Sequence, residues 1–128
     1  MRLLLDSQIL VAIAHGQAAS MPAIYAELQS PTNQMFVSVA SLWEIAIKFR
    51  LGKLQLPRPP AALSVFFQTL GYQLVVIDQR HAVEDLREQP ATRDPFDRLL
   101  LAQCQVESLM LVTVDRALSV HPLAWRAP

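Results

Sequence analysis

Four acidic residues stand at positions where a protein could use them to hold a divalent cation. Asp6 and Asp115 each follow a short apolar run, and Glu44 and Asp97 lie near the starts of amphipathic segments. Hard cations such as Mg²⁺ take oxygen ligands, usually carboxylates supplemented by water and phosphate. Such an ion can polarise a phosphodiester and activate a water molecule. The residue types therefore indicate metal-assisted hydrolysis, provided that the fold brings the four acids together.

The same acids also occupy positions at which carboxylates cap helices. Proline suits the first turn of a helix, so Pro95 predicts Asp94 as the N-cap and Asp97 as the third helical residue. Capping is the preferred role for Asp94. Other capping candidates are Asp6, Asp115 and a capping box formed by Ser41 and Glu44. Capping explains each acid singly, but it does not explain why carboxylates recur at so many strand-to-helix transitions.

The acids must be positioned by alternating strands and helices. Short apolar segments predict strands at residues 2–5, 35–39, 73–77 and 110–113, and residues 123–125 would add a fifth strand at one edge. Helical spacing predicts helices between them, among them segments at about 40–51, 61–70 and 95–107 and a short one at about 79–87. This alternation predicts an α/β/α sandwich with four to five parallel strands, in a single domain over residues 1–128. Ligands of such sheets bind outside the carboxyl ends of the strands, where these acids are placed.

Composition excludes several other classes of protein. Eleven basic residues balance eleven acidic ones, so net charge gives no indication of nucleic-acid binding. Cys104 is the only cysteine and is predicted to be a buried thiol, which rules out an internal disulfide and is consistent with the cytoplasm. No apolar run is long enough to cross a membrane. The low charged fraction of 17% predicts that a partner covers part of the surface.

Three other kinds of site are disfavoured by the sequence. There is no glycine-rich phosphate loop and no serine in a nucleophile elbow. The three histidines are scattered, and they are predicted to be surface or supporting residues: His15, His81 and His121. A phosphatase with an aspartyl nucleophile would need a second acid two residues after Asp6, where Gln8 stands. A non-catalytic protein-binding module stays open as an alternative to the hydrolase.

Four segments carry a resemblance to a known family. They read Leu-Leu-Leu-Asp6-Ser7, Val-Ser-Val-Ala-Ser-Leu-Trp-Glu44-Ile-Ala-Ile-Lys48, Arg-Asp94-Pro-Phe-Asp97-Arg98-Leu-Leu-Leu-Ala-Gln and Leu-Val-Thr113-Val-Asp115. In this order they resemble the PIN-domain family, and more narrowly the VapC-type ribonuclease toxins of toxin–antitoxin pairs. The resemblance covers nearly the whole chain. It implies a parallel-sheet sandwich that cleaves RNA with Mg²⁺ or Mn²⁺.

The resemblance also implies roles for individual residues. The catalytic and metal-binding acids would be Asp6, Glu44, Asp97 and Asp115, supported by Ser7, Asp94 and Thr113. Many members of this subgroup read Asp-Thr-His at the first segment, whereas this chain reads Asp6-Ser7-Gln8. Gln8 is polar but cannot carry a proton as histidine does. Because the acidic set is complete, we expect Gln8 to affect the rate of cleavage or the choice of substrate.

Partners are expected from both the residues and the resemblance. The candidates for RNA phosphate contacts flank the acidic segments: Lys48, Arg50, Arg93 and Arg98. Large apolar residues predicted on helix surfaces are Tyr25, Leu28, Trp43, Phe49, Phe66 and Phe67. A monomer rarely leaves extended apolar patches open to water. The resemblance implies a homodimer that binds an antitoxin segment in a groove beside the acids.

Overall fold

A computed structural model describes residues 1–128. The strands are β1 (Arg2–Leu5), β2 (Gln34–Ser38), β3 (Gln73–Val75) and β4 (Met110–Val112). The α-helices are α1 (Ser7–Ala14), α2 (Pro22–Gln29), α3 (Val39–Arg50), α4 (Leu63–Thr69), α5 (Gln79–Val83), α6 (Pro95–Glu107) and α7 (Arg116–Ser119), with 3₁₀ turns at Ala18–Ser20 and Pro60–Ala62. The predicted alternation of strands and helices is confirmed, although β3 and α5 are shorter than predicted.

The four strands form one parallel sheet in the order β3-β2-β1-β4. In this register Leu5 pairs with Val112, and the Asp6 amide extends the ladder by donating to the Val112 carbonyl at 3.0 Å. The predicted fifth strand is reduced to a single parallel bridge between Leu111 and Ala124. The sheet therefore has four strands, within the predicted range of four to five.

Two apolar cores lie on opposite faces of the sheet, because successive strand residues point to opposite sides. Leu3 and Leu5 belong to a core completed by α1, α2, α3 and α4. Leu4 belongs to a second core built mainly from α6, with α7 at its margin. Cys104 is fully buried in this second core, as predicted, and burial raises the pKa of its thiol. The predicted α/β/α sandwich is confirmed.

Helix α3 begins earlier than its capping-box pattern suggests. Ser38, the last residue of β2, is the N-cap and accepts a hydrogen bond from the Ala40 amide at 3.0 Å. The Ser38 hydroxyl in turn donates to the buried Gln103 side chain of α6. The predicted box of Ser41 and Glu44 is therefore wrong. Both residues lie inside α3, and the Ser41 hydroxyl is buried without a partner.

Strand order decides where a ligand would bind. The chain moves from β1 to β2 and β3 on one side, and then crosses to place β4 on the other side of β1. Beyond the carboxyl ends of β1 and β4 lies the crevice at which such sheets bind ligands. Asp6 directly follows β1, and Asp115 is the third residue after β4. No helix of the structure is long and apolar enough to span a membrane.

Candidate metal centre

Asp6 is the most enclosed of the four acids, with 4% of its surface exposed. One carboxylate oxygen, Oδ1, accepts from the Ser7 amide at 2.7 Å, so Asp6 caps α1. The other oxygen, Oδ2, accepts from the Thr113 hydroxyl at 2.7 Å. These two bonds fix the plane of the carboxylate at the end of β1. Burial nevertheless raises the pKa of Asp6, and the charges of Glu44 and Asp115 raise it further.

Thr113 links the ends of β1 and β4 through its hydroxyl. This oxygen accepts from the Asp115 amide at 3.0 Å while its proton is donated to Asp6. Asp115 itself caps α7, because its Oδ1 accepts from the amides of Ala117 and Leu118. One buried hydroxyl therefore orients two of the predicted site residues at once.

Glu44 reaches the same region from α3, a helix that contacts both α1 and α6. Its residue surface is 7% exposed, and its Oε2 pairs with the Lys48 ammonium at 3.0 Å. A charge that is taken out of water needs a partner of opposite sign, and Lys48 supplies one from the next helical turn. The bond to Glu44 is the main reason why the pKa of Lys48 is raised, and the charges of Asp94 and Asp6 add to this effect.

Asp97 lies on the first turn of α6, as its third residue. Asp94, directly before Pro95, is the N-cap of α6, and its Oδ1 accepts a hydrogen bond from the Phe96 amide at 2.8 Å. Asp97 instead accepts from the Thr92 hydroxyl at 3.1 Å, and the same hydroxyl accepts from the Asp94 amide at 3.0 Å. The predicted cap role of Asp94 is confirmed. Thr92 was not found by sequence reasoning, since its loop position carries no helical or strand periodicity.

The four acids share one electrostatic environment. Burial raises the pKa of Asp97 to about 6, the neighbouring Asp94 contributes next, and the charges of Asp6 and Asp115 add to the rise. Asp6 in turn is affected by Glu44 and Asp115. Like charges that disfavour one another in this way are stabilised by a cation placed between them. The residues present therefore fit a hard divalent ion.

The acids do not form a closed cage. Among Asp, Glu, His and Cys side chains, the only group of three whose ligand atoms lie within 4.8 Å of one another is elsewhere: Asp78, His81 and Glu107. Mg²⁺ keeps several of its waters and is commonly held by one or two carboxylates directly. An open set of four acids suits that mode of binding, with some contacts made through water.

The tighter group is a structural network rather than a second candidate site. The Arg80 guanidinium forms ion pairs with both acids, at 2.8 Å from Asp78 Oδ2 and 2.6 Å from Glu107 Oε1. His81 is buried, accepts from the Asp78 amide through Nδ1 and contacts Glu107 through Nε2 at 3.0 Å. The His81 bond is the first reason why the pKa of Glu107 is lowered. His81, predicted to be a surface or supporting residue, is buried by this network between α5 and α6.

The predicted basic residues differ in their exposure and in their contacts. Arg50 and Arg93 are exposed and Arg98 is partly buried, with its guanidinium donating to Gln89. Lys48 shares a cavity of about 290 Å³ with Ser7, Gln8 and Lys53. Gln8 is exposed, whereas its neighbours Asp6 and Ser7 are buried.

Replacement of Asp94 by alanine should destabilise the protein more than it impairs the site. The lost bond to the Phe96 amide is a helix cap, whose removal typically costs about 0.5–2 kcal/mol. Thermal denaturation of the Asp94→Ala and Asp97→Ala variants measures this difference. An Asp94→Ala protein that melts like wild type but cleaves RNA more poorly than Asp97→Ala would show that the two roles are reversed.

Comparison with known proteins supports an assignment at the level of the family. Residues 3–122 match the model of the PIN domain, which is nearly the whole chain. The chain belongs to the PIN domain family. Comparison with curated protein sequences gives no match. The fold of this PIN domain is similar to that of a chain in a toxin–antitoxin complex from Klebsiella pneumoniae, with 20% identity, a TM-score of 0.63, and coverage of 97% of this chain and 96% of that one.

Capping accounts for only part of the acidic set of this PIN domain. Asp6, Asp94 and Asp115 each accept bonds from amides at a helix start. Glu44 and Asp97 cap nothing: one pairs with a lysine, and the other accepts from a threonine hydroxyl. Capping therefore leaves Glu44 and Asp97 unexplained, and burial raises the pKa of Asp97, a feature that is common at functional sites.

Proposed function

We propose that this PIN domain is a metal-dependent endoribonuclease and acts as a VapC-type toxin of a toxin–antitoxin pair. The observation that supports the proposal is that Glu44 and Asp97, two acids without a capping role, interact electrostatically with Asp6, which follows β1, and that Asp115 acts on both Asp6 and Asp97. Nuclease chemistry accounts for the cost of holding these four charges together. Capping alone does not.

The proposed ligands of Mg²⁺ or Mn²⁺ are Asp6, Glu44 and Asp97, directly or through water, with Asp115 completing the acidic set. An ion held there would polarise an RNA phosphodiester and lower the pKa of a water molecule that attacks it. Ser7 and Thr113 hold the Asp6 carboxylate in one orientation, and Thr92 does the same for Asp97. Bonds of this kind from neighbouring residues fix ligands in the geometry that a metal requires.

The basic residues near the acids are proposed to bind the RNA backbone. Arg50 and Arg93 are exposed, and Arg98 lies on the same helix as Asp97. Contacts of this kind position the substrate without reading its sequence. Because the net charge of the chain is zero, the RNA-binding surface is a local feature of this edge.

A protein partner is proposed because large apolar side chains remain exposed near the acids. Trp43, adjacent to Glu44, is 58% exposed and is held edge-on by Phe96 with ring centroids 5.6 Å apart. Phe49 near the end of α3 and Leu51 just after it are also exposed. Phe67, one of the large apolar residues predicted on the helices, is fully buried in the core and does not contribute to this surface. We assign the exposed residues to a homodimer and to an antitoxin in the cytoplasm, and light scattering with co-expression of an upstream small reading frame tests both.

Cleavage of RNA in the presence of Mn²⁺, Mg²⁺ or a chelator tests the proposed activity. The purified protein should produce internal cuts in a mixed RNA with either ion, and the chelator should stop cleavage. The Asp97→Asn variant, purified identically, is the control for a contaminating nuclease, because a contaminant would be present in both preparations. Equal cleavage by this variant would assign the activity to a contaminant. Absence of cleavage over a broad panel of RNAs would favour the alternative of a non-catalytic binding module.

A further inference from the structure

Lys48 is the one basic residue that forms an ion pair with a proposed metal ligand. Its ammonium lies 3.0 Å from Glu44 Oε2, and the remaining ion pairs of the chain involve only Asp78 and Glu107. The Glu44 side chain is 9% exposed and the Lys48 side chain is 44% exposed. The carboxylate is therefore fixed in the interior, while the lysine reaches it from solvent along a flexible stem.

The position of Lys48 gives its charge an influence on more than one acid. Besides Glu44, the charges of Asp94 and Asp6 act on the same ammonium. Lys48 thus places a single positive charge at the edge of the acidic set, on the side of the cavity that it shares with Ser7 and Gln8. A cation that binds the acids would meet this charge at short range, and two cations of like sign repel each other.

We propose that Lys48 is a built-in counter-ion that occupies Glu44 in the metal-free protein, so that a divalent ion must displace it to use this ligand. The inference rests on the proposed function, since it assumes that the ion binds at these acids. Lys48 lowers the affinity for the ion and stabilises the metal-free fold, because it compensates a buried charge. It is a positioning residue for Glu44 and competes with the metal.

Replacement of Lys48 by methionine separates these two effects. Methionine keeps the apolar stem of lysine but removes the charge. The Lys48→Met protein is expected to bind Mn²⁺ about tenfold more tightly, because a neighbouring opposite charge shifts the affinity of a carboxylate for a proton by a comparable factor or more. Its melting temperature without metal should fall, and the rise on addition of Mn²⁺ should exceed that of wild type.

Two variants serve as matched controls. Lys53→Met removes the same charge from the same cavity, but Lys53 forms no ion pair, so its effect on Mn²⁺ affinity should be clearly smaller. Lys48→Arg keeps the charge and should bind Mn²⁺ much as wild type does. Isothermal titration calorimetry on purified full-length proteins, supported by Mn²⁺ paramagnetic resonance, gives the affinities without reference to cleavage.

The outcomes distinguish this inference from the proposed function. Tighter binding by Lys48→Met alone supports the counter-ion role. Unchanged or weaker binding by Lys48→Met, with wild-type protein that binds Mn²⁺ in an Asp97-dependent manner, overturns it and leaves the metal site in place. Wild-type protein that does not bind Mn²⁺, or binds it equally after Asp97→Asn, overturns the proposed site and the inference with it. If Lys48→Met fails to fold without metal, Lys48→Gln is used in the same titration and is judged by the same criteria.

Discussion

Asp97→Asn is expected to lower Mn²⁺-dependent RNA cleavage more than about 100-fold while the protein stays folded. Loss of a group that merely orients a metal ligand commonly costs 10- to 100-fold, and Asp97 is proposed to be a ligand itself. Asparagine can still accept the bond from the Thr92 hydroxyl, so α6 keeps its start. It also removes a charge that burial and the neighbouring acids disfavour in the metal-free protein. The measurements are initial rates on one RNA and a melting curve without metal.

Glu107→Gln is the matched control for this experiment. Glu107 lies at the other end of the same helix and takes part in the Arg80 and His81 network, away from the four acids. The change removes a carboxylate from α6 just as Asp97→Asn does, and cleavage should stay close to wild type. A similar loss of cleavage in both variants would mean that a change in the stability of α6, rather than loss of a ligand, explains the result.

Thr113→Val is expected to lower cleavage by about 10- to 100-fold and to destabilise the fold by about 1–3 kcal/mol. Valine matches threonine in shape but cannot donate to Asp6 or accept from the Asp115 amide. The first loss frees the Asp6 carboxylate to rotate, which weakens a proposed metal site by the factor typical of such supporting bonds. The second leaves the Asp115 amide without its acceptor, at the usual cost of an unsatisfied polar group.

Thr113→Ser restores the hydroxyl without the methyl group. It should recover most of the cleavage, because serine can make both bonds from the same backbone position. A Ser variant that is as inactive as Val would indicate that packing of the methyl group matters more than the hydroxyl. A Val variant that binds Mn²⁺ and cleaves like wild type would show that the backbone bond from Ser7 is enough to orient Asp6.

Local sequence determined the helices, the strands and the fold class. Proline after Asp94 predicted both the start of α6 and the cap, because a proline ring favours the first helical turn whatever the rest of the chain does. Acids after apolar runs predicted the edge of the sheet that carries them, since all strands of a parallel sheet end on the same side. These signals act within a few residues, which is why they can be found without a structure.

Strand order was decided only by the tertiary structure. Nothing near Asp6 in the chain indicates that Thr113, 107 residues away, would donate to its carboxylate. That contact exists because β4 pairs with β1 rather than with β3. In the same way, α3 is capped by Ser38 rather than by the predicted Ser41, and the Ser38 hydroxyl also bonds Gln103 on another helix, a contact that local sequence does not indicate.

The burial of individual side chains was also decided by packing between elements. Phe67 and Trp43 both lie on helices with apolar neighbours, yet the first is fully buried and the second is largely exposed. Periodicity shows which side of a helix is apolar, but it does not show how much of that side the sheet can cover. The sequence by itself therefore determined the acids and their edge of the sheet. Lys48 and Thr92 lie within five residues of the acids that they bind, so helical spacing and the loop before α6 supply them locally. The bond from Thr113 to Asp6 depends on the pairing of β4 with β1, because a hydrogen bond requires its atoms to meet within about 3 Å.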